Sequence, residues 1–105
     1  MGLIDLLKRS ESKTLEFKRD LSSPDGVLRT IVAFANTAGG VLLLGVEDAT
    51  RNVRGVAKPL AMEERLANLT SDSILPRLIP DIEILPWRRN HILAIQVYPS
   101  PGRPH

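Results

Sequence analysis

Four acids of this chain could do metal chemistry if the fold gathered them: Glu11, Glu16, Glu47 and Asp48. Magnesium and manganese are hard cations that want several carboxylate oxygens, and a metal so held can activate water against a phosphodiester. Spacing does not gather them. Positions 11 and 16 fall on opposite faces of a strand, or about 140° apart on a helix, so they converge only if the chain bends between them. The polar stretch SESKT, residues 10–14, would allow such a bend. On spacing alone the stronger reading is solvated surface acids, or ion-pair partners for Lys18 and Arg19.

The cations form a second constellation. Lys18 and Arg19 end a short alternating run, Arg51, Arg54 and Lys58 follow an apolar run, and Trp87, Arg88 and Arg89 sit together in WRRN. Arginine forks suit phosphate oxygens, and an exposed tryptophan can stack on a base. The competing reading is a hairpin tip kept soluble by its charges, with Trp87 tucked against the core.

A third stretch, AFANTAGGVLLLGVED at residues 33–48, carries a glycine pair. A phosphate-cradling loop runs from strand through glycines into a helix N-terminus, where free N–H groups meet the anion. Here the order is helix, Gly-Gly, strand, so the helix presents its carbonyl end to the turn. No G-x-x-x-x-G-K-[ST] is present, and ATP binding ranks last among the functions weighed. The glycines read as a helix stop, with Gly39 or Gly40 left-handed and Asn36 and Thr37 bonded to the turn's own backbone.

These groups need positioning, and the chain has enough material for one core. At 105 residues, 43% hydrophobic and 25% charged, it is a single globular domain rather than a disordered tail. A formal net charge of +2 is too small to imply a polyanionic partner, so the argument depends on where the charges lie. The sequence has no cysteine and two separated histidines, His91 and His105, which removes disulfides and makes zinc a poor fit. No apolar run approaches about 18 residues and no signal-peptide pattern opens the chain, so the expectation is a cytoplasmic protein without a membrane partner.

Periodicity supplies the elements. LIDLLKR, residues 3–9, predicts a short helix, and TLEFK a strand with Leu15 and Phe17 on one face and Glu16 and Lys18 on the other. Ser23 as N-cap, Pro24 in the first turn and the stripe Val27, Leu28, Ile31, Val32, Ala35 predict a helix. Residues 41–46, VLLLGV, lack alternation and suit a strand buried on both faces. VRGV, residues 53–56, reads as a short returning strand, and residues 60–75 as a second helix that Pro76 stops. DIEIL and HILAIQVY read as strands of a hairpin joined around PWRRN. The order predicts an α+β domain: a mixed or antiparallel sheet with two main helices and a short N-terminal one, over residues 1–98. The Pro-rich residues 99–105 read as a linker or a cut within a longer protein.

Beyond spacing, ESKTLEFKRD, IVAFANTAGGVLLLGVED and the later RGV resemble the Schlafen/AlbA-like domain, also labelled a divergent AAA or DNA-binding domain. The resemblance is detailed over residues 10–56 and agrees in element order to about residue 98. It implies a small α+β domain, in bacteria usually the N-terminal part of transcriptional regulators or RecG-helicase-related proteins whose C-terminal domains are not in this chain. In animal Schlafen proteins the same pattern carries a three-acid, metal-dependent site for cutting RNA, which maps onto Glu11, Glu16 and Asp48. That site is completed there by a duplicated lobe forming a basic groove; one lobe is present here, and a homodimer is one way to supply the other. The leading expectation is therefore nucleic-acid binding, DNA first, through Lys18, Arg19, Arg51, Arg54, Trp87, Arg88 and Arg89. A metal-dependent ribonuclease using magnesium or manganese is the first alternative, and a protein interaction or dimerisation module the second.

Overall fold

Alternation and its absence set the two kinds of strand in this sheet. In the computed structural model, which describes residues 14–48, 50, 52–73 and 79–100, four strands and two helices follow one another. They are β1 (Leu15–Lys18), α1 (Pro24–Ala35), β2 (Gly40–Leu44), α2 (Pro59–Ser73), β3 (Asp81–Trp87) and β4 (Asn90–Val97). The short helix expected at residues 3–9 lies outside the described residues.

The spatial order is β1-β2-β4-β3, with β1 parallel to β2 and the other pairs antiparallel. The fold is α+β with a mixed sheet, because α1 carries the chain from β1 back to start a parallel neighbour while the β3–β4 hairpin reverses direction. The unalternating LLL of β2 sits centrally and feeds both faces. Leu42 and Leu44 join Leu93, Ile95 and Val97 under Val27, Ile31, Phe34 and Ala35 of α1 and Leu66 of α2. Leu43 joins Leu15, Phe17, Val46 and Ile92 on the opposite face. Burying one such side chain is worth roughly 1.5–3 kcal/mol, so the two clusters supply the main drive to fold.

Three local expectations change. α1 is capped at Asn36, ahead of the glycines, while Gly39 takes the left-handed φ 81 expected of the pair and its N–H reaches back to the Phe34 carbonyl at 2.8 Å. β2 stops at Leu44 because Gly45 adopts φ 106, leaving Val46 with a single bridge to Val53. VRGV is not a strand. The Arg54 and Gly55 N–H groups both donate to the Gly45 carbonyl, which folds this segment into a tight loop.

Among the described residues no helix is long and apolar enough to cross a membrane.

Candidate nucleic-acid interface

Strand direction decides which residues meet. β1, β2 and β3 run one way and β4 the other, so the last residues of three strands and the first of the fourth share one end of the sheet. Lys18 and Arg19 leave β1 there. The Lys18 carbonyl accepts from Gly45 N–H at 2.8 Å and Val46 N–H at 3.2 Å, which ties the exit of β1 to that of β2. The 53–56 loop folds over the same end, where the Val56 N–H donates to the His91 carbonyl at 2.8 Å. A Cβ on Gly55 would lie 2.7 Å from the Asn90 Cβ, so only glycine lets this loop approach so closely.

The β3–β4 hairpin turns within two residues, since Trp87 pairs with Asn90. Leu44 pairs with Leu93, so the hairpin continues three residue positions past β2, about 10 Å at strand rise. Its tip is Arg88 and Arg89, both exposed. Arg88 holds φ 55, a left-handed conformation costing an L-residue roughly 1–2 kcal/mol that asparagine or glycine would avoid. Its guanidinium lies 5.6 Å from the half-buried Trp87 ring, a cation–π distance.

Not every cation at this end is available. Arg54 Nη2 donates to Glu47 at 2.8 Å, and the Thr50 hydroxyl donates to the same carboxylate at 3.0 Å. The Arg54 hydrogen bond first and the Thr50 bond next hold Glu47 below its ordinary carboxylate range. Lys18 Nζ lies 3.7 Å from Glu16, a loose and half-exposed pair. Asp20 is drawn into the turn toward α1 by Ser22, whose hydroxyl and backbone N–H donate at 2.6 and 3.0 Å and lower its pKa. Arg19, Arg88 and Arg89 make no ion pair among the described residues. Both helices also start at this end, directing the positive poles of their dipoles toward it. Among the described residues the far end shows acids: Asp81 accepts from the Tyr98 hydroxyl at 2.8 Å, which raises the phenol pKa, and Glu83 lies nearby.

The acids fare differently from the cations. Glu16 pairs in register with Leu42, so it faces the helix layer and lines a groove against α1. Asp48 lines a separate cleft of about 340 Å³ with Phe17, Lys18, Arg19, Glu47 and Thr50. Lys18 borders both clefts. Among the described residues no group of three or more His, Cys, Asp or Glu side chains could hold a metal ion. Glu11 and Arg51 lie outside the described residues. At the glycine turn, the Thr37 hydroxyl donates to the Ala33 carbonyl at 2.7 Å, and Gly40 presses on the Phe34 ring.

The family model for the Schlafen, AlbA_2 domain matches residues 11–105. The chain belongs to the Schlafen, AlbA_2 family. Two solved structures share the fold. One is the N-terminal domain of a DNA helicase RecG-related protein from Nitrosomonas europaea, 25% identical, with a TM-score of 0.76 over 96% of this chain and 82% of that one. The other is the DIP2311 protein from Corynebacterium diphtheriae, 19% identical, with a TM-score of 0.66 over 94% of this chain and 25% of that one. In this AlbA_2 domain, sequence reasoning missed Arg29, which stands on α1 beside Lys18 and was read only as part of a helix. Its signal was present in principle: Arg29 is polar between apolar stripe positions, yet only the β1–α1 packing shows which neighbour it meets.

Proposed function

We propose that this AlbA_2 domain binds nucleic acid, DNA first, through the basic end of its sheet, as one part of a larger regulator or helicase-related protein. The observation that carries the reading is topological. Cations from β1, the 53–56 loop and the β3–β4 hairpin share one end, and Arg19, Arg88 and Arg89 there lack an ion-pair partner among the described residues. Holding an arginine at φ 55 in the hairpin tip supports the same reading, because its contact with the Trp87 ring, worth about 0.5–1 kcal/mol at an exposed site, offsets only part of the backbone strain. The likeness to a domain named for a DNA helicase-related protein points the same way. Phosphate contacts of this type position a duplex without reading its bases, so binding is salt-steep and weakly sequence-dependent.

A titration of labelled DNA and RNA at two salt concentrations, with and without magnesium, tests it. Binding at low salt that weakens in Arg88→Asn with Arg89→Ala, while the fold is retained, is the expected result. Absence of binding at low salt would refute the reading and leave an interaction module in its place.

A further inference from the structure

The groove between β1 and α1 is chemically unlike the basic end it adjoins. It is an open trough of about 500 Å³. Gly26, Ala33, Phe34 and Ala38 give it an apolar lining, with Thr30 and Thr37 along α1. Its cations gather at Gly26. A Cβ built there would lie 3.8 Å from Arg29 Nη2 and 4.0 Å from Lys18 Nζ, so both groups face one space that glycine leaves open. Glu16 shares the groove, but Lys18 and Arg29 against Glu16 leave its lining one positive charge in excess.

We propose that this groove takes a single nucleic-acid strand, one base lying along the apolar lining and the adjoining phosphate between Lys18 and Arg29. The inference rests on the basic-end reading, because Lys18 borders both the groove and the cleft shared with Arg19 and Asp48. A strand crossing the basic end therefore reaches the groove by way of Lys18. Duplex exteriors present phosphate and sugar and gain nothing from an apolar lining. Unpaired bases do gain from one, since they lose water-exposed surface as their phosphates meet cations. The groove makes the domain prefer single strands to duplex of equal length.

The test uses two exposed α1 positions that can change without touching the core, Arg29→Ala and Ala33→Gln, the second filling the groove with uncharged bulk. Both are titrated against an unstructured single strand and against a duplex of equal length across a salt series. The expected result is a single-strand affinity lower by about tenfold in Ala33→Gln, the scale of one lost base contact. Arg29→Ala flattens the single-strand log–log salt slope by about 0.7, one phosphate contact. Duplex binding stays at the wild-type value in both. Wild-type single-strand affinity in both variants, or equal losses on duplex, overturns the groove while the basic-end reading stands. Failure of the wild-type domain to bind either form overturns both.

Discussion

Replacing Gly40 by alanine tests the turn that aligns α1 with β2, and its cost can be worked from the structure. A Cβ at this position would lie 2.7 Å from Phe34 Cδ1 and 2.8 Å from Cε1 and Cγ, so the ring must move as a body. Phe34 is 4% exposed and packed among Ile31, Leu42 and Val97, which leaves it no free volume. Overpacking of this kind costs about 1–3 kcal/mol. The alanine also narrows the unfolded ensemble, which returns roughly 0.4–1 kcal/mol. A net loss of about 1–2 kcal/mol follows, or a fall in Tm on the order of 4–15 °C for a domain of this size. Gly39→Ala fails for a different reason: its φ is 81, and the added Cβ would meet the Val97 carbonyl oxygen at 2.7 Å and Pro99 Cδ at 2.9 Å. Left-handed strain plus a backbone clash makes about 2–4 kcal/mol. Urea unfolding of both variants, alone and combined with Phe34→Leu, separates the causes. The Phe34→Leu background should relieve Gly40→Ala through a coupling of about 0.5–3 kcal/mol and leave Gly39→Ala unrelieved. A Gly40→Ala protein as stable as wild type, or one showing no coupling to Phe34, would refute the argument.

Arg19→Ala, Arg88→Asn and Arg89→Ala together should flatten the duplex log–log salt slope by about 2.7, and Arg54→Ala by less, since its guanidinium is already held by Glu47; equal effects per arginine would show that the Glu47 pair opens on binding. Glu47 should titrate below its ordinary value of 4.5, so its contribution to stability is complete above that value and lost as pH falls through the depressed one. Carboxyl NMR should find the midpoint raised toward the ordinary value in Arg54→Ala, with the Thr50 bond keeping part of the depression. Tyr98 should ionise above 10.0, its bond to Asp81 stabilising the fold below that pH and lost as pH rises through the raised value; ultraviolet titration of Asp81→Asn should return the phenol to the ordinary value. For the acids, magnesium-dependent RNA cleavage that vanishes in Glu16→Gln and Asp48→Asn with folding intact would promote a nuclease over simple binding, whereas no cleavage leaves Glu16 as the partner of Lys18.

Elements with a strong local signal were legible in the sequence. The alternation of LEFK, the unalternating LLL of β2 and the stripe of α1 each dictate a shape through short-range sterics and hydrophobic burial. The glycine stop was legible as well, although Asn36, not glycine, closes the helix. The 53–56 segment was misread because its valines suggest a strand. What overrides them is the left-handed Gly45 and the closeness of Gly55 to Asn90, and both depend on a partner distant in sequence.

Residue types and spacing alone determined that this chain has apolar material enough to fold, that several of its cations fall at loops or strand ends and that its Gly-Gly turn faces the wrong helix end for a phosphate loop. They could not determine which loops are neighbours. That depended on strand order and direction, because residues at 18–19, 54 and 88–89 come to one end of the sheet only once β1 lies parallel to β2 and the hairpin folds antiparallel beside it. Nor could alternation say which face of β1 is covered by helices: the polar pair Glu16 and Lys18 points into the α1 groove, and the apolar pair Leu15 and Phe17 points away. A two-residue period fixes that faces differ; only the packing of α1 fixes which partner each face receives.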